Sequence, residues 1–218
     1  MRRVLLICLT LVLALVSWST VCAEDGFYVI QVIKKSPPVV VIVNAGVPKT
    51  GQTATYGTND DGALKKGVAS PTPRFTDNNN GTVTDNLTKL IWMKNASIFT
   101  GPRTWADAMS TAEALKHDTF GLTDGSQPGD WRLPNVRELL SLVNYGWSGP
   151  ALPNTLGTGR WAEGNPFQGV YGSLYWSSTT WCPPDTPNYA WYVNLFDGRA
   201  DSWLKSNYCY VWCVRGGP

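Results

Sequence analysis

Residues 208–217 read YCYVWCVRGG. In an extended strand, side chains alternate between faces. Tyr208, Tyr210, Trp212 and Val214 then share one face, opposite Cys209, Val211 and Cys213. The stretch reads as the closing strand of a sheet. On that reading Cys209 and Cys213 stand about 13 Å apart on one face, whereas a disulfide needs Cα atoms within roughly 7 Å. They cannot bond to each other.

The upstream sequence extends the sheet. LYWSSTTW (174–181) reads as one strand, and YAWYVNLF (189–196) and RADSWL (199–204) flank Asp197-Gly198, a hairpin signal. In the middle strand Tyr189, Trp191, Val193 and Leu195 share a face, and Ala190, Tyr192 and Asn194 share the other. Tyr171, Tyr175, Trp176, Trp181, Trp203, Tyr208, Tyr210 and Trp212 add to the crowd. One face of each strand must be core, which takes up about half of these rings. Those left outside make rigid contact surfaces of low entropy cost. Arg199, Asp201, Lys205 and Asn207 lie among them. The expected ligand-binding set is Trp181, Tyr189, Tyr192, Arg199, Asp201, Trp203, Asn207, Tyr208 and Tyr210, suited to a sugar ring or a protein surface. The competing reading packs every ring into the core of a small, loop-rich domain.

Further upstream, residues 147–174 are loop-like, and two helices precede them. Thr104 caps a stripe of Trp105, Ala108, Met109, Ala112 and Leu115. Asn135 caps Val136, Leu139, Leu140 and Val143, with Glu138 at the capping-box position and Gly146 past the end. RFTDNNNGTVTDNLTKLIWM (74–93) has strand-like flanks around an Asn-rich turn ending in Gly81, a β-hairpin. A hairpin, two helices, a long loop and a terminal antiparallel sheet make an α+β domain over 74–218. Residues 24–73 read as a leader and linker: β-prone FYVIQVIKK and VVVIVNAG around Pro37-Pro38, then a polar, Gly-rich stretch.

Compartment is read from the first 23 residues. A basic start at Arg2-Arg3, an apolar run from Val4 to Trp18 and Val21-Cys22-Ala23 form a secretory signal peptide pattern. Cleavage after Ala23 removes Cys8 and Cys22 and leaves no membrane span. It also takes the 18 basic side chains down to 16, matching the 16 acidic ones. A neutral chain offers no bulk field for nucleic acid. Cys182, Cys209 and Cys213 then sit in an oxidising compartment. Cys182 can reach Cys209 or Cys213 across a sheet, leaving one thiol over, and that bond is the expectation. Zinc is the other use for three cysteines, but the spacing is not C-x-x-C and His117, the sole histidine, is far away.

Catalysis finds little support. His117 falls where the first helix ends, a place where histidine stabilises the last carbonyls. G-x-S-x-G, H-E-x-x-H and phosphate-loop motifs are all missing, so a non-enzyme is expected. No cofactor is called for, although Asp60, Asp61, Asp77 and Asn79 sit in oxygen-rich turns that suit calcium. Asx residues also favour tight turns without any metal.

Six segments in order, NNNGTVTDNLTKLIWMK, TWADAM, GDWRLPNVRELLSLV, YWSSTTW, YAWYVNLFDG and YVWCVRGG, resemble the family of the C-terminal domain of the Legionella collagen-like adhesin, over about Arg74 to Gly217. The resemblance implies a C-type-lectin-like fold, with two helices on short antiparallel sheets. It implies a bacterial protein that is secreted, periplasmic or on the cell surface, and ligands met by the loops and strands of the last third. The expected function is an adhesin-like module recognising a glycan or protein through its aromatic C-terminal surface. The alternative is a structural, self-associating envelope protein, for which a homo-oligomer is the natural form.

Overall fold

The Asn-rich turn reverses the chain as its residues favour. Strands β1 (Phe75–Asp77) and β2 (Thr82–Asp85) pair antiparallel across it, with Phe75 opposite Asp85. Asn79 and Gly81 supply positive φ angles of 56° and 82°, which Asn tolerates and Gly adopts freely. β3 (Leu90–Met93) continues the sheet, and β7 (Val214–Gly216) closes it in the order β1-β2-β3-β7. A second antiparallel sheet holds β4 (Leu174–Thr180), β5 (Tyr189–Asn194) and β6 (Arg199–Leu204) in that order. This computed structural model describes residues 46–182 and 187–216. The expected signal peptide over 1–23, the β-prone runs of the leader up to residue 45 and Gly217 lie outside the described residues. The architecture is α+β.

Capping chemistry sets the helix starts. Helix α1 (Asp61–Leu64) is a single turn in the linker, capped by Asp60. Helix α2 (Trp105–Glu113) begins where Thr104 accepts from the Asp107 N–H. Helix α3 (Val136–Ser141) begins with the full capping box: Asn135 accepts from Arg137 and Glu138, and Glu138 accepts from the Asn135 N–H. α3 ends at Leu142, so Gly146 is not its terminator. Burial alone would raise the Glu138 carboxyl, but a bidentate pair with Arg132 and the Asn135 N–H hold it below the usual range. That contribution is present above the unfolded carboxylate range and is lost as pH falls through the folded value. The stripes of α2 and α3 turn inward: Ala108, Ala112, Leu115 and Leu139 are buried against β4 and its neighbours.

The tail departs from its expected form. Only Val214–Gly216 pairs as a strand. Upstream, Cys209 bridges Arg103, Tyr210 runs parallel beside Tyr175 of β4, and Val214 meets Arg132. The segment therefore leaves the second sheet and enters the first. Both of its sides are covered, so alternation is lost: Cys209, Val211, Trp212 and Cys213 are all buried.

This path removes the expected disulfide. Cys182, Cys209 and Cys213 are free thiols. Beside β4, Cys209 is level with Leu174, roughly 25 Å of extended chain from Cys182. Cys213 is sealed inside while Cys182 is exposed. Burial pushes the Cys209 thiol up to about 12 and the Cys213 thiol higher still, so both stay protonated at any ordinary pH.

A buried ion pair ties the first hairpin to α3. Arg74 Nε and Nη2 donate to Asp85 Oδ1 and Oδ2 at 2.8 and 2.9 Å, and Nη2 also donates to the Ser141 carbonyl at 2.8 Å. Asp85 accepts further bonds from the Leu87 N–H and the Thr88 hydroxyl.

Two predictions follow from this packing. Arg74→Ala leaves a buried carboxylate unpaired and is expected to cost about 3–5 kcal/mol, against about 1 kcal/mol for Thr104→Ala; urea unfolding midpoints measure both. Iodoacetamide at pH 8 should label Cys182 in the native protein and reach Cys209 and Cys213 only with denaturant, as peptide mass mapping would show. A bridged Cys182 would resist labelling.

Candidate functional site

The second sheet carries most of the expected ligand residues, and its register sorts them. Across β5 and β6, Ala190 pairs with Trp203, Tyr192 with Asp201, and Asn194 with Arg199. These residues share one face. Tyr189 pairs with Leu204 and Trp191 with Ser202, so they stand on the other. Trp203 and Tyr189 are therefore not parts of one surface.

On the first face, Arg199, Asp201 and Trp203 are exposed. β6 is an edge strand, and nothing among the described residues lies beyond it in the sheet. Trp203 is 39% exposed and sits 6.1 Å from the Tyr192 ring at 56°. Tyr192 itself is buried at 7% exposure; it is a floor for Trp203 rather than a contact surface. Burial raises the Tyr192 phenol, the Asp201 charge adds to this, and Arg199 offsets part of it. Tyr208, after the turn that follows β6, is 64% exposed. One cation, one anion and one exposed ring make this patch amphipathic and without net charge.

The remaining rings fall into two groups. Tyr210 stacks on Tyr171 at 4.7 Å and 26°, and leans on buried Tyr175 at 5.6 Å. This is a ladder from core to surface, ending at the exposed Tyr171, a ring absent from the expected binding set. Trp181 meets Tyr189 edge-on at 5.6 Å, with the Trp181 N–H donating to the Tyr189 carbonyl. Both are half-buried. Asn207 donates its N–H to the Leu204 carbonyl and shapes the turn after β6. Lys205 at that turn holds its ammonium 4.1 Å over the Trp105 ring and donates to the Thr180 hydroxyl. It fastens the end of β6 to α2 instead of facing a ligand.

The oxygen-rich turns are occupied by their own chain. Asp60 accepts from the N–H groups of Tyr56, Gly57 and Ala63. Asp61 accepts from the Thr50 hydroxyl. Asp77 accepts from the Asn79 N–H and pairs with Lys94 at 2.7 Å. Among the described residues, no three His, Cys, Asp or Glu side chains converge as a metal site. His117 lies beyond α2, and its Nδ1 accepts from the Gly125 N–H, so it orders a loop rather than the helix end.

No curated protein matches the sequence. The family model of the Lcl C-terminal domain matches residues 81–215, from the hairpin turn to the last described strand. That family is one of surface and secreted proteins, and none of the described helices is long and apolar enough to cross a membrane. With more than half of its length matched and strands β2 to β6 inside the match, the chain belongs to the Lcl C-terminal domain family.

Proposed function

We propose that this protein is an exported, non-enzymatic binding module with a C-type-lectin-like fold. It recognises a glycan or a protein surface through the exposed face of β6. One observation carries the reading: Trp203 stands open to solvent on a rigid strand, backed by buried Tyr192 and flanked by Arg199 and Asp201. A ring held this way loses little entropy on contact, and the flanking charges orient hydroxyls or amides. The signal peptide pattern at 1–23 supports export to the periplasm, the surface or the medium. The non-enzymatic part rests on chemistry: buried Cys209 and Cys213 stay protonated, and His117 is engaged in a loop. Calcium has no role in this reading, because Asp60 and Asp77 already serve backbone N–H groups and Lys94.

The second reading, a self-associating envelope protein, draws on the open edge of β6, where Trp203 and Leu204 are exposed. Unpaired strand edges invite pairing with another chain. Trp203→Ala separates the two. Binding on a glycan array or to host matrix proteins should fall at least about thirty-fold in the variant, as for a central interface ring, with an unchanged melting temperature. If no ligand binds and the wild type sediments as an oligomer that Trp203→Ala dissociates, the self-association reading replaces the first.

A further inference from the structure

On the first sheet, away from the β6 face, the hairpin turn, the end of β3 and two loops enclose a recess of about 350 Å³. We propose that this recess is a second ligand site, independent of the β6 face, that takes a neutral hexose unit of a glycan.

Its walls are held by backbone. The Thr123 N–H donates to the Asn80 carbonyl at 3.0 Å, Lys94 to Gly81 at 2.9 Å, Gln168 to Lys94 at 2.8 Å and Ala96 to Gln168 at 2.8 Å. The hairpin turn and the following loop approach so closely that a Cβ on Gly81 would lie 2.4 Å from the Gly121 carbonyl oxygen. Only glycine permits that contact, so the recess has a fixed shape.

Its lining has two complementary halves. Phe120 is 55% exposed and adopts a left-handed φ of 49°, a conformation that bulky residues rarely take. Its ring meets Phe99 edge-on at 5.5 Å, which leaves much of the phenyl open. Around it stand the side-chain amides of Asn79, Asn95 and Gln168. Asn95 Oδ1 accepts from Ser97. Among the described residues, the Asn95 Nδ2 and the amides of Asn79 and Gln168 have no side-chain partner. An apolar ring with free amide donors and acceptors matches a pyranose, which has an apolar face and a rim of hydroxyls. Charge selects a neutral one: Lys94 is paired with Asp77 at 2.7 Å, so the only ammonium of the recess is already compensated. A sulfated or carboxylated sugar would have to compete with Asp77 for it. The volume is at the low end for small-molecule sites and fits one or two sugar rings rather than a peptide.

Saturation-transfer NMR on the full chain tests this with methyl α-D-glucopyranoside, methyl α-D-mannopyranoside, methyl β-D-galactopyranoside and N-acetyl-D-glucosamine. Transfer to at least one is expected. Phe120→Ala and Gln168→Ala should each weaken it by about three- to ten-fold, the worth of one aromatic contact or one hydrogen bond. Leu156→Ala, an exposed side chain outside both surfaces, should leave it unchanged. Gln168 is exposed, so Gln168→Ala decides alone if Phe120→Ala melts early. No transfer from any of the four sugars would overturn the proposal. So would transfer that Gln168→Ala leaves intact, or transfer lost only in Trp203→Ala, which would place the sugar on β6.

Discussion

Trp212 is the residue on which the two sheets depend. Its indole N–H donates to the Met93 carbonyl at 2.8 Å, at the end of β3. Its ring meets Phe167 at 4.8 Å, Trp92 at 5.5 Å and Tyr175 at 5.9 Å. Trp92 belongs to the first sheet, Tyr175 to the second and Phe167 to the long loop between them. Each aromatic contact is worth about 0.5–1.5 kcal/mol beyond burial. Strands of three to seven residues cannot build a deep interface from ladder bonds alone. A large ring that touches three segments, and bonds its one polar atom to one of them, does that job with a single side chain.

The same logic explains the path of the tail. Cys209 is bonded to Arg103, Tyr210 to β4, and Val214 to Arg132 and β3. No stretch of the tail before Val214 pairs long enough to be a strand. Its backbone groups are satisfied by several partners in turn, which a buried segment requires. The Arg74–Asp85 pair plays a parallel part at the other side of the first sheet. Both charges are nine-tenths buried or more, and the guanidinium also reaches the Ser141 carbonyl after α3. The pair thus fixes where the hairpin meets the helix, at the cost of desolvating two ions.

How much of this could be read in the sequence depends on how local each signal is. The helix starts were legible because Thr104, Asn135 and Glu138 bond within three residues. The hairpins were legible because Asn79-Asn80-Gly81 and Asp197-Gly198 carry their own turn preference. Alternation within 189–195 placed Tyr189 and Tyr192 on opposite faces, as the register has them, and left open which face is core. It did not show that Tyr192 is buried on the face it shares with exposed Arg199, Asp201 and Trp203. It failed at 209–213, where partners cover both sides. The disulfide failed for the same reason: spacing bounds a distance within one strand but is silent on where a crossing segment lies against another. The Phe120 recess has no sequence signal at all, because its lining comes from four separated segments.

The aromatic excess therefore has two causes. Trp92, Trp131, Trp176 and Trp212 are fully buried, and they replace the many aliphatic contacts that longer strands would supply. This part of the excess is structural. Trp203, Tyr208 and Tyr171 are different. Trp203 remains open beside buried Tyr192, and Tyr171 beside half-buried Tyr210 and, through it, buried Tyr175. An exposed ring on a flexible loop would pay ordering entropy when it met a ligand. A ring braced by a core ring has already lost that freedom on folding. The rigid aromatic core is thus what makes the outer rings useful for contact, and the two roles of the aromatics are linked through shared stacking.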